Sequence, residues 1–214
     1  MNNLSIYVKF IKYLRSSRVR RLPGKMSLQR IAYEILRPNG KMVLNVLGLK
    51  MQLSLRDKGI FETLVTGGIY EPYEMKLFYN SISQGMTVMD IGANFGYYSL
   101  LAAKALKGYG EVYAFEPENE AFEMLKQNIL LNNYQNIIPI RKGLSDKGGI
   151  SPLFVHERNL GMHSIIQGKS TSKRIDIETT TLDEFIREKG RPVGLSVLKI
   201  DTEGAEGLVL KGAS

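Results

Sequence analysis

The sequence predicts an α/β fold built on a parallel sheet, and three observations carry that prediction. From residue 86 onward, short apolar strands alternate with helical segments of 10–15 residues. This is the rhythm of a parallel sheet whose crossovers are helices. The first of these strands runs into "DIGANFG", a glycine turn between strand and helix. The third strand contains Pro139, and a proline removes a ladder donor, so this strand is expected at a sheet edge.

The elements follow in order. Leu4, Val8 and Ile11 recur at helical spacing, with Phe10 and Leu14 widening the stripe, so residues 4–15 read as a basic amphipathic helix. Arg18 to Lys25, broken by Pro23 and Gly24, reads as a linker. Met42 to Val46 and Leu49 to Leu55 read as two strands around Gly48. "GGIYEPYEMKLFYNSI" enters a helix, with Pro72 in the first turn and Glu71 where a negative charge favours the dipole. "TVMDIG" is a strand, "YYSLLAAKAL" a helix and "EVYAFEPE" the next strand. "NEAFEMLKQNILLNN" is a strong helix, with Asn119 expected as N-cap and Phe122, Leu125, Ile129 and Leu130 as its core face. "NIIPIRKG" is the third strand.

Residues 148–181 break the rhythm. "SPLFVHE" and "RIDIETTTL" read as an inserted antiparallel pair, with "RNLGMHSI" and "QGKSTSK" between them. "TTTLDEFIREKG" is a short helix ended by Gly190, and "LSVLKIDTEGAEGLVLKGA" is an apolar strand entering a helix after Gly204. The chain divides by this reading into a basic, helical arm (1–40), lead-in strands and helix (41–85) and an α/β core (86–214).

Charge is unevenly placed. The chain has 29 Lys and Arg against 21 Asp and Glu in 214 residues, a net charge of +8. Residues 1–30 hold eight basic residues and no acid, so the remainder is neutral. A nucleic-acid-binding body would keep a basic face of its own, and no nucleic-acid partner is expected. The arm reads as a solvated extension docking lightly on the body, as an anchor for an acidic membrane surface or partner, or, least favoured, as an RNA contact.

Other classes fall away. With no Cys, disulfides, zinc ribbons and thiol catalysis are excluded. His156 and His163 cannot build a three-His metal site. No stretch approaches the ~18 apolar residues of a membrane-spanning helix. Lys9 and Lys12 interrupt what would be the apolar core of a secretory signal. A cytoplasmic protein is the expectation.

Two candidate sites stand at the ends of strands. In "DIGANFG", glycines at 92 and 96 let the chain turn and are expected to bring backbone N–H groups and a helix N-terminus to a ligand. Glu116 follows at the end of the next strand, 24 residues past Gly92, where a carboxylate can accept both hydroxyls of a ribose. Pro117 then turns the chain away. A dinucleotide site wants glycine at the second fingerprint position, but that position is Asn94. Its side chain obstructs a close phosphate and can bond an amino-acid carboxylate, which favours S-adenosylmethionine over NAD. The second candidate is "KIDTEGAE". Asp201 and Glu203 there could position a substrate hydroxyl, act as general base or hold the amine of the cofactor. With Glu206 they make three acids within six residues, which is not by itself a metal site. His163 is a further candidate base.

These stretches resemble the FkbM family of S-adenosylmethionine-dependent methyltransferases. "GIYEPYE", "GMTVMDIGANFGYYSLLAAK", "VYAFEPENEAFEMLKQNILLNN", "TTTLDEF" and "LKIDTEGAEGLVLKGA" occur in the order and spacing of the family, over roughly residues 41–214. The resemblance implies a class I methyltransferase fold, Rossmann-like, with sheet order 3-2-1-4-5-7-6, in which the third strand is again an edge. It implies methylation of hydroxyl oxygens on sugars, glycolipids or other small metabolites. Carried over, Asp90, Gly92, Ala93, Asn94 and Gly96 line the methionine part of the cofactor. Glu116 and Pro117 meet the ribose, Leu144 and Ser145 pass the adenine, Tyr70 and Glu71 close over the site, and Asp201 faces methyl transfer. Family members continue beyond "LKGA", so the chain is expected to be truncated at its C-terminus, with strand 195–200 an exposed edge. The alternatives are an inactive methyltransferase-fold fragment serving as a binding module, and an NAD-dependent oxidoreductase.

Overall fold

A computed structural model describes residues 3–15, 24–36, 40–55, 57–65, 67–155, 173–190 and 194–213. Helices α1 (Asn3–Arg15) and α2 (Lys25–Leu36) lie antiparallel. Asn3 Nδ2 donates to the carbonyl of Leu36 at 3.0 Å, and the rings of Tyr7 and Tyr33 meet edge-on at 5.8 Å. Tyr7 and Ile11 are completely buried, and the Tyr7 hydroxyl donates to Glu62 of α3 (Lys58–Val65). The first helix is therefore packed into the body, not lightly docked. Helix α2 falls within the arm expected to be helical, whereas α3 is not evident in the sequence. The eight-residue α3 carries a glycine and a β-branched end, and it holds through burial of Ile60, Phe61, Leu64 and Val65.

Strands β1 (Lys41–Val46) and β2 (Leu49–Ser54) form a hairpin. Its two-residue loop, Leu47 and Gly48, has both φ angles positive (54° and 81°), the twist that tight hairpins prefer. The hairpin is tied to α6 (Asn119–Leu131) by side chains that imitate a strand. Asn128 accepts from the Gln52 N–H (2.6 Å) and donates to the Gln52 carbonyl (3.0 Å). One helical turn later, Asn132 does the same with Lys50, at 2.9 and 2.7 Å. The match is geometric: four helical residues rise about 6 Å and two strand residues about 6.6 Å.

Helix α4 (Pro72–Asn80) leads to the central sheet. Strands β3 (Thr87–Ile91), β4 (Glu111–Phe115) and β5 (Ile137–Ile140) pair in parallel, and β9 (Leu195–Ile200) pairs in parallel with β3. The order is β5-β4-β3-β9, so Pro139 does stand in an edge strand. Helix α5 (Tyr97–Leu106) follows β3 and α6 follows β4. The α6 N-cap is Glu118, not Asn119, because the Glu118 carboxylate accepts from the Ala121 N–H at 2.7 Å. Asn119 instead holds Arg141 at 3.0 Å. The buried face of α6 is also rotated from expectation. Leu130 is exposed, while Met124 and Asn128 are buried, because α6 leans on the hairpin as well as on the sheet.

The inserted element is antiparallel as expected: β7 (Gly149–Val155) pairs with β8 (Lys173–Thr180). A two-residue strand, β6 (Gly143–Leu144), pairs in parallel with the far side of β8. Residues 156–172, with His156, His163 and the two connecting stretches, lie outside the described residues. Thr181 caps α7 (Leu182–Glu188) in a reciprocal capping box with Glu184. Helix α8 (Glu206–Lys211) follows β9. Strand β9 forms the other edge of the described sheet and is half-buried; Ser196 and Lys199 interrupt its apolar run. No described helix is long and apolar enough to cross a membrane.

Candidate active site

Parallel pairing brings the carboxyl ends of β3, β4 and β9 to one edge, where a cleft opens to solvent. That edge is where ligands bind in open α/β sheets. The turn after β3 has φ angles of 77° at Gly92, 50° at Asn94 and 94° at Gly96. Four of its amides, those of Gly92, Ala93, Asn94 and Gly96, are already engaged within the fold. The N–H groups of Gly92 and Ala93 both donate to the Phe115 carbonyl (3.0 and 2.9 Å), and that of Gly96 to Ala93 (2.8 Å). The glycines serve close packing instead. A Cβ on Gly92 would stand 1.9 Å from the Asp201 carbonyl oxygen, and one on Gly96 2.6 Å from Leu125 Cδ1. The turn is thereby pressed against the end of β9 and against α6.

Glu116 is the best-fixed acid of the cleft. Its carboxylate accepts from the Asn94 N–H at 2.8 Å and the Glu118 N–H at 2.9 Å. Burial pushes its pKa up to about 7, against the two amides that favour the ionised form. A carboxylate offers about four acceptor sites, so capacity for hydroxyl donors remains.

On the opposite strand, Lys199 joins three parts of the cleft. Its Nζ lies 3.1 Å from Asp90 Oδ1, 3.7 Å from Asp201 Oδ2 and 5.0 Å from the centre of the Tyr98 ring. It donates to the Gly92 carbonyl at 3.1 Å. Asp201 is half-exposed and held by its own N–H, which donates to Ile91 at 3.0 Å. Glu203 has φ 51°; burial first, then the charges of Asp201, Glu206 and Glu71, raise its pKa. Glu206 braces the turn by accepting from the Thr202 and Gly204 N–H groups at 2.9 and 3.1 Å.

Of the residues expected at the site, Gly92, Ala93, Asn94, Glu116, Pro117, Leu144, Asp201 and Glu203 line the cleft, as does Tyr70. Asp90, Gly96, Ser145 and Glu71 are not among its lining residues. Asp90 is completely buried beneath the cleft, where it accepts from Ser99 Oγ at 2.6 Å. Gly96 faces Leu125. Ser145 is buried against β8, its N–H donating to Thr180. Glu71, at φ 45°, accepts from the Tyr98 hydroxyl at 2.7 Å and so ties α4 to α5. Among the lining residues absent from the sequence-based set are Lys199, Leu153 and Ile177. Lys199 left a signal, a lone charge in an apolar strand; Leu153 and Ile177 left none, because the fold of the insertion alone brings them here.

The residues present fit S-adenosylmethionine. Glu116 offers acceptors for a ribose, while Phe115, Leu144, Leu153 and Ile177 form an apolar wall suited to an adenine. Asn94, Tyr70, Asp201 and Glu203 add polar groups, the two acids suited to a methionine amine and the Asn94 side chain to its carboxylate. A sheet ordered third-second-first-fourth, with a glycine turn after its first strand and a buried acid after its second, is a Rossmann-like nucleotide-binding arrangement. Residues 90–214 match the methyltransferase FkbM domain, and the chain belongs to that family. It is 28% identical over 154 residues to methyltransferase sdnD of Sordaria araneosa, covering 58% of this chain and 59% of that protein. It is 24% identical to methyltransferase 1 of Beauveria bassiana, covering 58% and 57%. The chain thus spans less than 60% of the length of these curated relatives. Among solved structures, it is similar to methyltransferase FkbM from Methylobacillus flagellatus (16% identity, TM-score 0.42, 98% of this chain and 44% of that one). It is also similar to M. jannaschii TYW2 in complex with AdoMet (26% identity, TM-score 0.38, 48% and 43%).

Proposed function

We propose that this chain binds S-adenosylmethionine in the cleft and directs methyl transfer to a hydroxyl oxygen of a small acceptor, a sugar, glycolipid or other metabolite. The observation that carries this reading is the Glu116 carboxylate, held by two backbone amides in a cleft lined by both apolar and polar side chains. When bound, S-adenosylmethionine supplies a methyl group already activated by its sulfonium. The chain must then orient an acceptor oxygen and remove its proton. Asp201 has the exposure to meet an acceptor and the Lys199 ammonium to hold it in place. It takes the hydroxyl proton as the oxygen forms its new bond to carbon.

Calorimetry on the 214-residue chain with S-adenosylhomocysteine and with NAD tests the cofactor. Binding of the former is expected; preference for NAD would replace this reading with an oxidoreductase, and binding of neither with an inactive module. Asp201→Asn tests the base. Transfer from methyl-labelled cofactor to a hydroxyl acceptor is expected to fall by about 10²-fold or more, with S-adenosylhomocysteine affinity unchanged. Unaltered turnover would remove Asp201 from the role.

A further inference from the structure

The two N-terminal helices each present two different faces. The inner faces are already engaged. Tyr7, Ile11 and Leu14 of α1 are buried, and Ala32, Tyr33 and Leu36 of α2 pack against the same core. The outer face of α2 carries Leu28, Ile31 and Ile35, which are 40%, 54% and 74% exposed and recur at i, i+3 and i+7. On α1, Ile6 and Tyr13 are exposed, along with Lys9 and Lys12. Because the inner faces hold the helices in place, the outer apolar side chains cannot turn inward without unpacking Tyr7 from Glu62 and Tyr33 from Tyr7.

We propose that this helix pair is a docking face for an anionic lipid surface. Two independent features select that occupant. The first 36 residues hold eight Lys and Arg against a single acid, Glu34, while the rest of the chain is close to neutral. The positive charge is diffuse along the chain, from Lys9 to Arg30, and matches a surface of many headgroups. The aliphatic stripe is the second feature. Nucleic acid would gain from the charge but not from Leu28, Ile31 and Ile35, whereas the boundary between headgroups and acyl chains takes up both. This inference does not depend on what the cleft binds.

Co-sedimentation of the 214-residue chain with vesicles tests it. One set is phosphatidylcholine alone; the other contains about 30 mol% phosphatidylglycerol, enough for a strong negative surface potential. Binding to the anionic set at least about tenfold above the neutral set, weakening with salt, is expected. I31D/I35D is expected to lower it a further tenfold or so, since apolar burial supplies part of the binding. The milder I31S/I35S, with circular dichroism and a thermal melt, separates loss of docking from loss of fold. Equal binding to both vesicle sets, or none, would overturn the proposal. So would anionic binding that neither double variant alters, which would assign the charge to an acidic protein or RNA.

Discussion

Burial and hydrogen bonding pull on the Glu116 carboxyl in opposite directions. Burial dominates, and its pKa rises from 4.5 to about 7. The proton is therefore held more tightly in the folded chain than in the unfolded one. Between pH 4.5 and 7 the unfolded state ionises while the folded state does not, so stability of the ligand-free chain falls as pH rises through that window. Glu116→Gln is expected to flatten this slope in urea midpoints measured against pH. It also sets an NH₂ against one of two backbone N–H donors, so it should be less stable than the parent even at low pH. The same shift predicts that S-adenosylhomocysteine binding near pH 6 releases protons, because ribose hydroxyls need the ionised acceptor; calorimetry in buffers of different ionisation enthalpy reads this. Near Glu116, the Tyr98 phenol is pushed well above its ordinary pKa by burial and by the Glu71 carboxylate it bonds, so it remains a donor that fixes α4 on α5. Glu116 was legible because its place after the second strand is a local feature. Its titration was not, because desolvation depends on what the rest of the chain lays over it.

At the scale of elements, β9 was legible as an apolar strand, yet its one charged residue does most to join the site. Parallel pairing puts Lys199 directly across from Asp90. Asp90 is completely buried, and its Oδ1 has the Lys199 ammonium at 3.1 Å, while the ammonium directs its hydrogen bond to the Gly92 carbonyl. Removing one partner of such a pair strands a buried charge and costs about 3–5 kcal/mol. Lys199→Met is expected to lose stability on that order in urea unfolding at neutral pH, and adding Asp90→Asn should recover much of it. A double variant no more stable than the single one would show that the ammonium acts through Gly92 or Asp201 instead. The glycine turn teaches a related lesson. The turn does line the cleft, but its Gly92 and Ala93 amides close onto the end of β4, and Gly92 is required by the Asp201 carbonyl beside it.

Across the whole molecule, one continuous core joins α1, the hairpin and the sheet, and Asn128 stands at the junction. It is completely buried and bonds Gln52 on the hairpin and the Phe95 carbonyl on the glycine turn, the latter at 2.8 Å. Asn128→Ala leaves three backbone groups without their partner. Unsatisfied buried groups cost about 1–3 kcal/mol each, so a loss of at least about 3 kcal/mol is expected. In native-state hydrogen exchange, the Gln52 amide should exchange through global unfolding in the parent and through a faster local opening in the variant. The sequence by itself determined the alternation of strand and helix, the edge position of the Pro139 strand, the acid after the second strand and the concentration of positive charge before residue 31. These are periodicities, spacings and sums, which reside in neighbouring residues. Only the tertiary structure decided that α3 forms, that Asp90 goes beneath the cleft and Lys199 into it, that the insertion supplies an apolar wall, and that an asparagine occupies a core position. Each of these depends on which distant backbone and side-chain groups end up paired or hidden from water.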